Sequence, residues 1–132
     1  AKIALDENFY DLDIDIYAPC AVGATVNPDT LSRLKCDIIA GAANNQLADE
    51  DRDGKLCLDK GICYAPDFLI NAGGLINVYS EINGYDRDHS IQQTREIYDT
   101  TLEILKKADN EGIPTNDAAL KIAKQRISNK NK

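Results

Sequence analysis

The chain has 132 residues and a mass of 14.5 kDa, with 15 Lys and Arg against 22 Asp and Glu for a net charge of −7. That acidic balance argues against a nucleic-acid module, which needs a basic face to neutralise phosphates, and no apolar run approaches the ~18 residues of a membrane span. An apolar fraction of 43% suits the core of one ordinary domain, and the first seven residues lack a signal-peptide pattern, so a single-domain cytoplasmic protein is expected.

Through residues 1–70, short extended runs alternate with helical ones, as in βαβ units. Residues 1–5 read as a strand followed by the acidic turn Asp6-Glu7-Asn8. Residues 14–18 read as a second strand, ended by Pro19. Asn27-Pro28 supplies a helix start, with Asn as the cap and Pro at the first helical position, and residues 30–35 continue it. Residues 37–41 form a buried strand centred on Ile38-Ile39. Residues 55–60 read as a short helix closed by Gly61, and residues 62–65 as a strand closed by Pro66. Three strands end in small residues, in Ala-Pro-Cys-Ala, Ala-Gly-Ala-Ala and Ala-Pro-Asp. Small residues there let a ligand approach the backbone at the carboxyl ends of parallel strands, where such sheets bind ligands.

Residues 71–132 are helical in character. Leu75, Ile76, Tyr79 and Ile82 share one helix face, and Gly84 stops that helix. Asp88 is placed to cap a longer helix with the stripe Ile91, Thr94, Tyr98, Thr101, Leu102, Leu105 and Ala108. Gly112 and Pro114 end it, and Thr115 opens a last helix with Ala119, Ile122, Ala123 and Ile127 inward. The cations Lys121, Lys124, Arg126, Lys130 and Lys132 then gather without an acid, as suits a helix C-terminus.

Motifs for local chemistry are few. Cys20, Cys36, Cys57 and Cys63 form no C-x-x-C pair, and they read as small buried hydrophobes in a reducing compartment. The segment Asp49-Glu50-Asp51-Arg52-Asp53-Gly54 satisfies the start of a calcium loop, with Leu56 at the eighth place. Its twelfth place is Lys60, where a bidentate carboxylate is required, so a solvated acidic loop is expected and no metal. His89 stands alone on a polar helix start, and neither G-x-S-x-G nor G-x-G-x-x-G occurs. Asn44-Asn45 follows a strand and offers donors and acceptors to a polar ligand without a charge, but the residues alone favour a self-capping Asn-rich turn.

Three ordered motifs carry a resemblance. They are Asp15-Ile16-Tyr17-Ala18-Pro19-Cys20-Ala21-x-Gly23, Ile39-Ala40-Gly41-Ala42-Ala43-Asn44-Asn45-Gln46-Leu47, and Tyr64-Ala65-Pro66-Asp67-Phe68-x-Ile70-Asn71-Ala72-Gly73-Gly74-x-Ile76-Asn77. Together they resemble the cofactor-binding domain of the glutamate/leucine/phenylalanine/valine dehydrogenases, nearest the leucine-acting members, over essentially the whole chain. The resemblance implies an α/β fold, an incomplete Rossmann-type parallel sheet of three to four strands with C-terminal helices. Residues 1–70 would be the back half of the dinucleotide-binding domain and residues 71–132 the helical segment. It implies NAD as cofactor, a small amino-acid substrate in the full-length enzyme, homo-oligomers, and neither nucleic acid nor membrane as partner.

Site residues carry over by the same resemblance. Cys20 and Ala21 match the turn that passes the cofactor ribose. Ala43, Asn44 and Asn45 match the segment that meets the nicotinamide, with Asn45 also near the substrate. Leu75 and Val78 match the wall of the side-chain pocket, and two aliphatics there favour a branched apolar side chain. The family's catalytic lysine and aspartate, and the first two Rossmann strands with their glycine turn, have no counterpart in these residues. The chain alone is therefore expected to turn over no substrate and to bind NAD weakly or not at all. The other expectation, from a different class, is a non-catalytic α/β domain that associates with itself or a partner. Residues 14–18, 37–41 and 62–65 would be Rossmann strands four to six, side by side in that order. Residues 1–5 would be displaced, and the open edge at residues 14–18 would be covered by another segment or chain.

Overall fold

A computed structural model describes residues 8–82 and 84–130. The strand expected at residues 1–5 lies outside the described residues, as does Lys132. Three short parallel strands, β1 (Ile16–Tyr17), β2 (Ile38–Ile39) and β3 (Cys63–Tyr64), form one sheet in the order β1-β2-β3. The register aligns Ile16 with Ile38 and Cys63, and Tyr17 with Ile39 and Tyr64. This is the order expected for Rossmann strands four to six. Each paired stretch is shorter than its apolar run, because the chain leaves the ladder as soon as the small residues begin.

Helix α1 (Pro28–Arg33) starts where Asn27-Pro28 places it. The Asn27 side chain accepts from Thr30 N–H at 3.1 Å while Thr30 Oγ1 accepts from Asn27 N–H at 3.1 Å, a reciprocal cap that satisfies two otherwise orphaned donors. Helix α1 ends two residues before the sequence boundary. With α2 (Glu50–Asp59) it covers one face of the sheet. Tyr17, Ile39 and Tyr64 are buried there with Leu31 and Cys57, whereas Ile16, Ile38 and Cys63 on the other face are exposed.

The acidic run is corrected by α2. It is the first turn of a helix and not a solvated loop. Asp49 accepts from Arg52 N–H at 2.8 Å, and the fully buried Asp53 accepts from Asp49 N–H at 2.9 Å and pairs with Arg52 at 2.7 Å. Carboxylates suit that position because the free N–H groups of a helix start carry partial positive charge. Among the described residues, no cluster of His, Cys, Asp or Glu could hold a metal ion.

Short α3 (Asp67–Ile70), absent from the sequence reading, leads into α4 (Gly73–Ile82), whose first turn is the Gly73-Gly74 pair. Helix α5 (Arg87–Glu111) is capped by Asp86 and not Asp88: the Asp86 carboxylate accepts from the N–H groups of Asp88 and His89. Gly112 at φ 60° closes it, with Ile113 N–H donating to Ala108 O at 3.1 Å, and α6 (Thr115–Lys130) follows. A second core joins Ile104 and Ala108 of α5 to Ala118, Ala119 and Ile122 of α6. Tyr98, Ala123 and Ile127, expected inward, are exposed. Thr115 Oγ1 donates to Tyr64 O at 2.6 Å and Asn116 Nδ2 to Glu50 O at 3.2 Å, which fixes the helical pair against β3 and α2. The last cations are drawn partly into ion pairs, Lys121 with Glu111 and Arg126 with Glu103. No described helix is long and apolar enough to cross a membrane.

Only Cys36 and Cys57 are buried; Cys20 and Cys63 are exposed, which corrects the uniform reading of the cysteines. Burial, with the Asp53 carboxylate adding to it, pushes the Cys57 thiol from 9.0 to about 12, and burial pushes the Tyr17 phenol from 10.0 to about 12. Both groups hold their protons in the folded state at pH values where the unfolded chain loses them. The stability this gives is complete below pH about 9 and is lost as pH rises towards 12. Thermal melts should show a flat Tm up to pH about 9 and a fall above it, shallower in Cys57→Val. An unchanged slope in that variant would remove the thiol from the account.

Candidate functional site

The chain after β1 and the chain after β2 form two loops held face to face at the carboxyl edge of the sheet. Ala43 N–H donates to Pro19 O at 2.9 Å, Ala24 N–H to Asn45 O at 2.7 Å, and Val26 N–H to Gln46 O at 2.9 Å. The loops approach so closely that a Cβ on Gly41 would collide with the carbonyl oxygen, nitrogen and carbonyl carbon of Pro19. One on Gly23 would stand 2.8 Å from the carbonyl oxygens of Asn44 and Asn45. Ala24 (φ 58°) and Asn45 (φ 53°) are both left-handed and bond to each other across the gap. Such backbone conformations cost about 1 kcal/mol in a non-Gly residue and persist only where the surroundings enforce them.

Beneath the loops lies Gln46, fully buried, whose Nε2 donates to Gly41 O at 2.6 Å and Ala43 O at 2.9 Å. Its own N–H donates to Oδ2 of the buried Asp67 at 3.0 Å, and Asp67 Oδ1 accepts from Phe68 N–H at 2.7 Å. The Gln46 amide thus braces the loop after β2 from within, and the Asp67 carboxylate ties that loop to the turn after β3. Asn71, at the end of α3, completes the link by donating from Nδ2 to Asn44 Oδ1 at 2.5 Å and to Ala42 O at 3.3 Å.

The sequence-derived site residues fall on this frame as follows. Cys20 and Ala21 are exposed on the loop after β1, where Cys20 Sγ accepts from Ala42 N–H at 3.5 Å. Ala43 is buried in the loop after β2, while Asn44 and Asn45 are exposed beside it. The Asn45 carboxamide has no hydrogen-bond partner among the described residues. Leu75 and Val78 lie on α4, beginning one turn beyond Asn71, and are 73% and 60% exposed. The structure therefore brings Cys20, Ala21, Ala43, Asn44 and Asn45 into one loop pair and joins α4 to that pair through Asn71. Leu75 and Val78 are not packed into any core.

Apart from Cys20, the two loops (residues 18–25 and 40–46) contain no titratable side chain. An uncharged rim of small residues with a free carboxamide can bind and orient a flat amide-bearing ring. The Cys20 thiol aside, it offers no general acid or base.

The sequence matches the glutamate/leucine/phenylalanine/valine dehydrogenase family over residues 1–132. The chain belongs to that family. It is 49% identical over 129 residues to L-tryptophan dehydrogenase of Nostoc punctiforme, covering 98% of this chain and 36% of that protein. It is 47% identical over 127 residues to leucine dehydrogenase of Thermoactinomyces intermedius, covering 96% of this chain and 34% of the other. The crystal structure of the Nostoc punctiforme enzyme superposes with a TM-score of 0.89 at 50% identity, over 93% of this chain and 37% of that one. The fold alone is shared with a hetero-hexameric glutamate dehydrogenase from Thermus thermophilus, at TM-score 0.72 and 19% identity over 95% of this chain and 32% of that one. This dehydrogenase-family chain spans about a third of the length of the relatives it matches.

Three residues of this family member that hold the site were not assigned roles from sequence. Gln46, Asp67 and Asn71 stand inside the matched motifs, yet nothing local distinguishes a polar residue that props a loop from one that faces solvent. The signal available was a polar residue between apolar neighbours, as in Pro66-Asp67-Phe68.

Proposed function

We propose that this chain supplies the nicotinamide- and substrate-facing part of an NAD-dependent L-amino-acid dehydrogenase, one that reversibly deaminates a branched-chain, leucine-like amino acid to its 2-oxo acid and ammonia. The observation that carries the reading is the uncharged loop pair, with its free Asn45 carboxamide, joined through Asn71 to a helix that exposes Leu75 and Val78. The donor set fits the cofactor: Cys20 and Ala21 would lie by the ribose, and Ala43, Asn44 and Asn45 by the nicotinamide amide. The nicotinamide, when bound, supplies the hydride acceptor. Asn45 then also meets the substrate, and Leu75 and Val78 form the wall of its side-chain pocket.

The exposed sheet face bearing Ile16 and Ile38 supports assembly with further protein, since parallel sheets are normally covered on both faces. Homo-oligomers of the complete protein are part of the proposal. The loops hold no lysine, carboxylate or histidine for the proton transfers, so the 132 residues alone are expected to oxidise no amino acid. Leucine-dependent NADH formation by the purified 132-residue chain would refute that.

Selectivity tests the placement of the pocket. In the complete protein, kcat/KM should favour leucine over alanine and over phenylalanine and tryptophan. Leu75→Ala or Val78→Ala should erode the leucine preference by about 1–3 kcal/mol per lost methylene while hydride transfer persists. Unchanged relative kcat/KM across leucine, valine and alanine would show that these two residues do not line the pocket.

A further inference from the structure

We propose that the crevice between α4 and α5 is a binding site for a small dianion bearing carboxylate or phosphate groups. It is an open groove of about 420 Å³, walled by Gly73 and Asn77 of α4, Tyr85 of the connecting segment, and Arg87, Ile91 and Arg95 of α5, with both arginines exposed. Cavities of a few hundred Å³ are the usual size for small ligands. Arg87, Ile91 and Arg95 follow each other at i, i+4 and i+8 and so form one stripe of the helix. The two arginine Cα atoms stand about 12 Å apart along its axis, a span that two guanidinium groups can close upon a ligand with two charged ends.

The charge pattern singles the crevice out. Of the five arginines in the sequence, Arg33, Arg52 and Arg126 pair with Asp11, Asp53 and Glu103. Arg87 and Arg95 have no ion pair among the described residues, in a chain of net charge −7. Among the described residues, no carboxylate lines the crevice. The Tyr85 hydroxyl donates to Asn77 Oδ1 at 3.1 Å, which leaves the Asn77 Nδ2 donors to offer. The Ser90 and Thr94 hydroxyls are engaged with the carbonyls of Asp86 and Ser90. What remains is two guanidinium forks and an amide, a donor set that matches carboxylate or phosphate oxygens. On a helical wheel Gly73 and Asn77 fall opposite Leu75 and Val78, so the site is separate from the proposed amino-acid pocket and stands whether or not that reading holds.

The test is calorimetric titration of the complete protein at low ionic strength, in separate arms with succinate and with inorganic phosphate, each with and without NAD. Saturable 1:1 binding of either anion that persists with NAD present is the expected result, and the arm that binds identifies the anionic group. Arg87→Gln and Arg95→Gln should each weaken it about tenfold or more. Arg126→Gln, which removes an equal charge elsewhere, should leave Kd within about twofold. Melting temperatures without anion show that the variants are folded. No saturable heat in either arm, equal affinity in the double variant, or equal weakening by Arg126→Gln would each overturn the proposal.

Discussion

Gly41→Ala is expected to break the loop pair that carries the candidate site. The added Cβ would occupy space already held by the carbonyl oxygen, nitrogen and carbonyl carbon of Pro19. These are backbone atoms, so no side-chain rotation relieves the clash, and Pro19 is itself buried and anchored through its carbonyl to Ala43 N–H. One loop must move away from the other. Overpacking of this kind costs about 3 kcal/mol, which in a domain of this size lowers Tm by roughly 10 °C. In the complete protein, the KM for NAD should rise more than the KM for the amino acid, because the displaced loops carry Cys20, Ala21, Ala43 and Asn44, which the proposed function places by the cofactor. A Tm within about 2 °C of wild type would mean that the two loops have slack that the structure does not show.

Gln46→Leu should be nearly as damaging, for a different reason. Leucine keeps the volume but removes both Nε2 donors, leaving the buried carbonyls of Gly41 and Ala43 unpaired. An unsatisfied buried acceptor costs about 1–3 kcal/mol; two are created while the partnerless buried Oε1 of Gln46 is removed, so a net loss of about 1–3 kcal/mol is expected. Gln46→Glu should be worse at neutral pH, since a carboxylate would face two carbonyl oxygens with Asp67 close by. Protonation gives that side chain one donor, so the Glu variant should gain stability relative to the Leu variant as pH falls through the carboxylate range. Denaturation of both variants across pH measures this. If the Glu variant is the more stable at neutral pH, the amide is not held by those two carbonyls.

Several features were legible in the sequence because their causes are local. Asn27-Pro28 starts α1, Gly112 ends α5 and Thr115 opens α6 where the residue types place them. Capping and left-handed closure depend on groups within four residues, so the information sits inside a short window. The order of the three parallel strands was also legible, since apolar runs separated by helical ones leave few connections open. The three motifs were enough to place the chain in its family.

Tertiary structure decided what depends on partners distant in sequence. Asp53 looked like one carboxylate of a solvated loop, yet it is fully buried against its own helix start, beneath α6 where Asn116 reaches Glu50. Cys57 and Cys63 are only six residues apart, and only one of them is buried, because the sheet has a covered face and an open one. Tyr98 and Ile127 keep helical spacing with buried residues and are exposed, because the packed stretch of α5 and α6 is set by where the pair docks on β3. The hydrogen bonds that shape the site, Gln46 to Asp67 and Asn44 to Asn71, close across 21 and 27 residues. Periodicity reports which side chains lie on one face of an element. Whether that face is covered, and which polar group finds which partner, is fixed only when the elements pack.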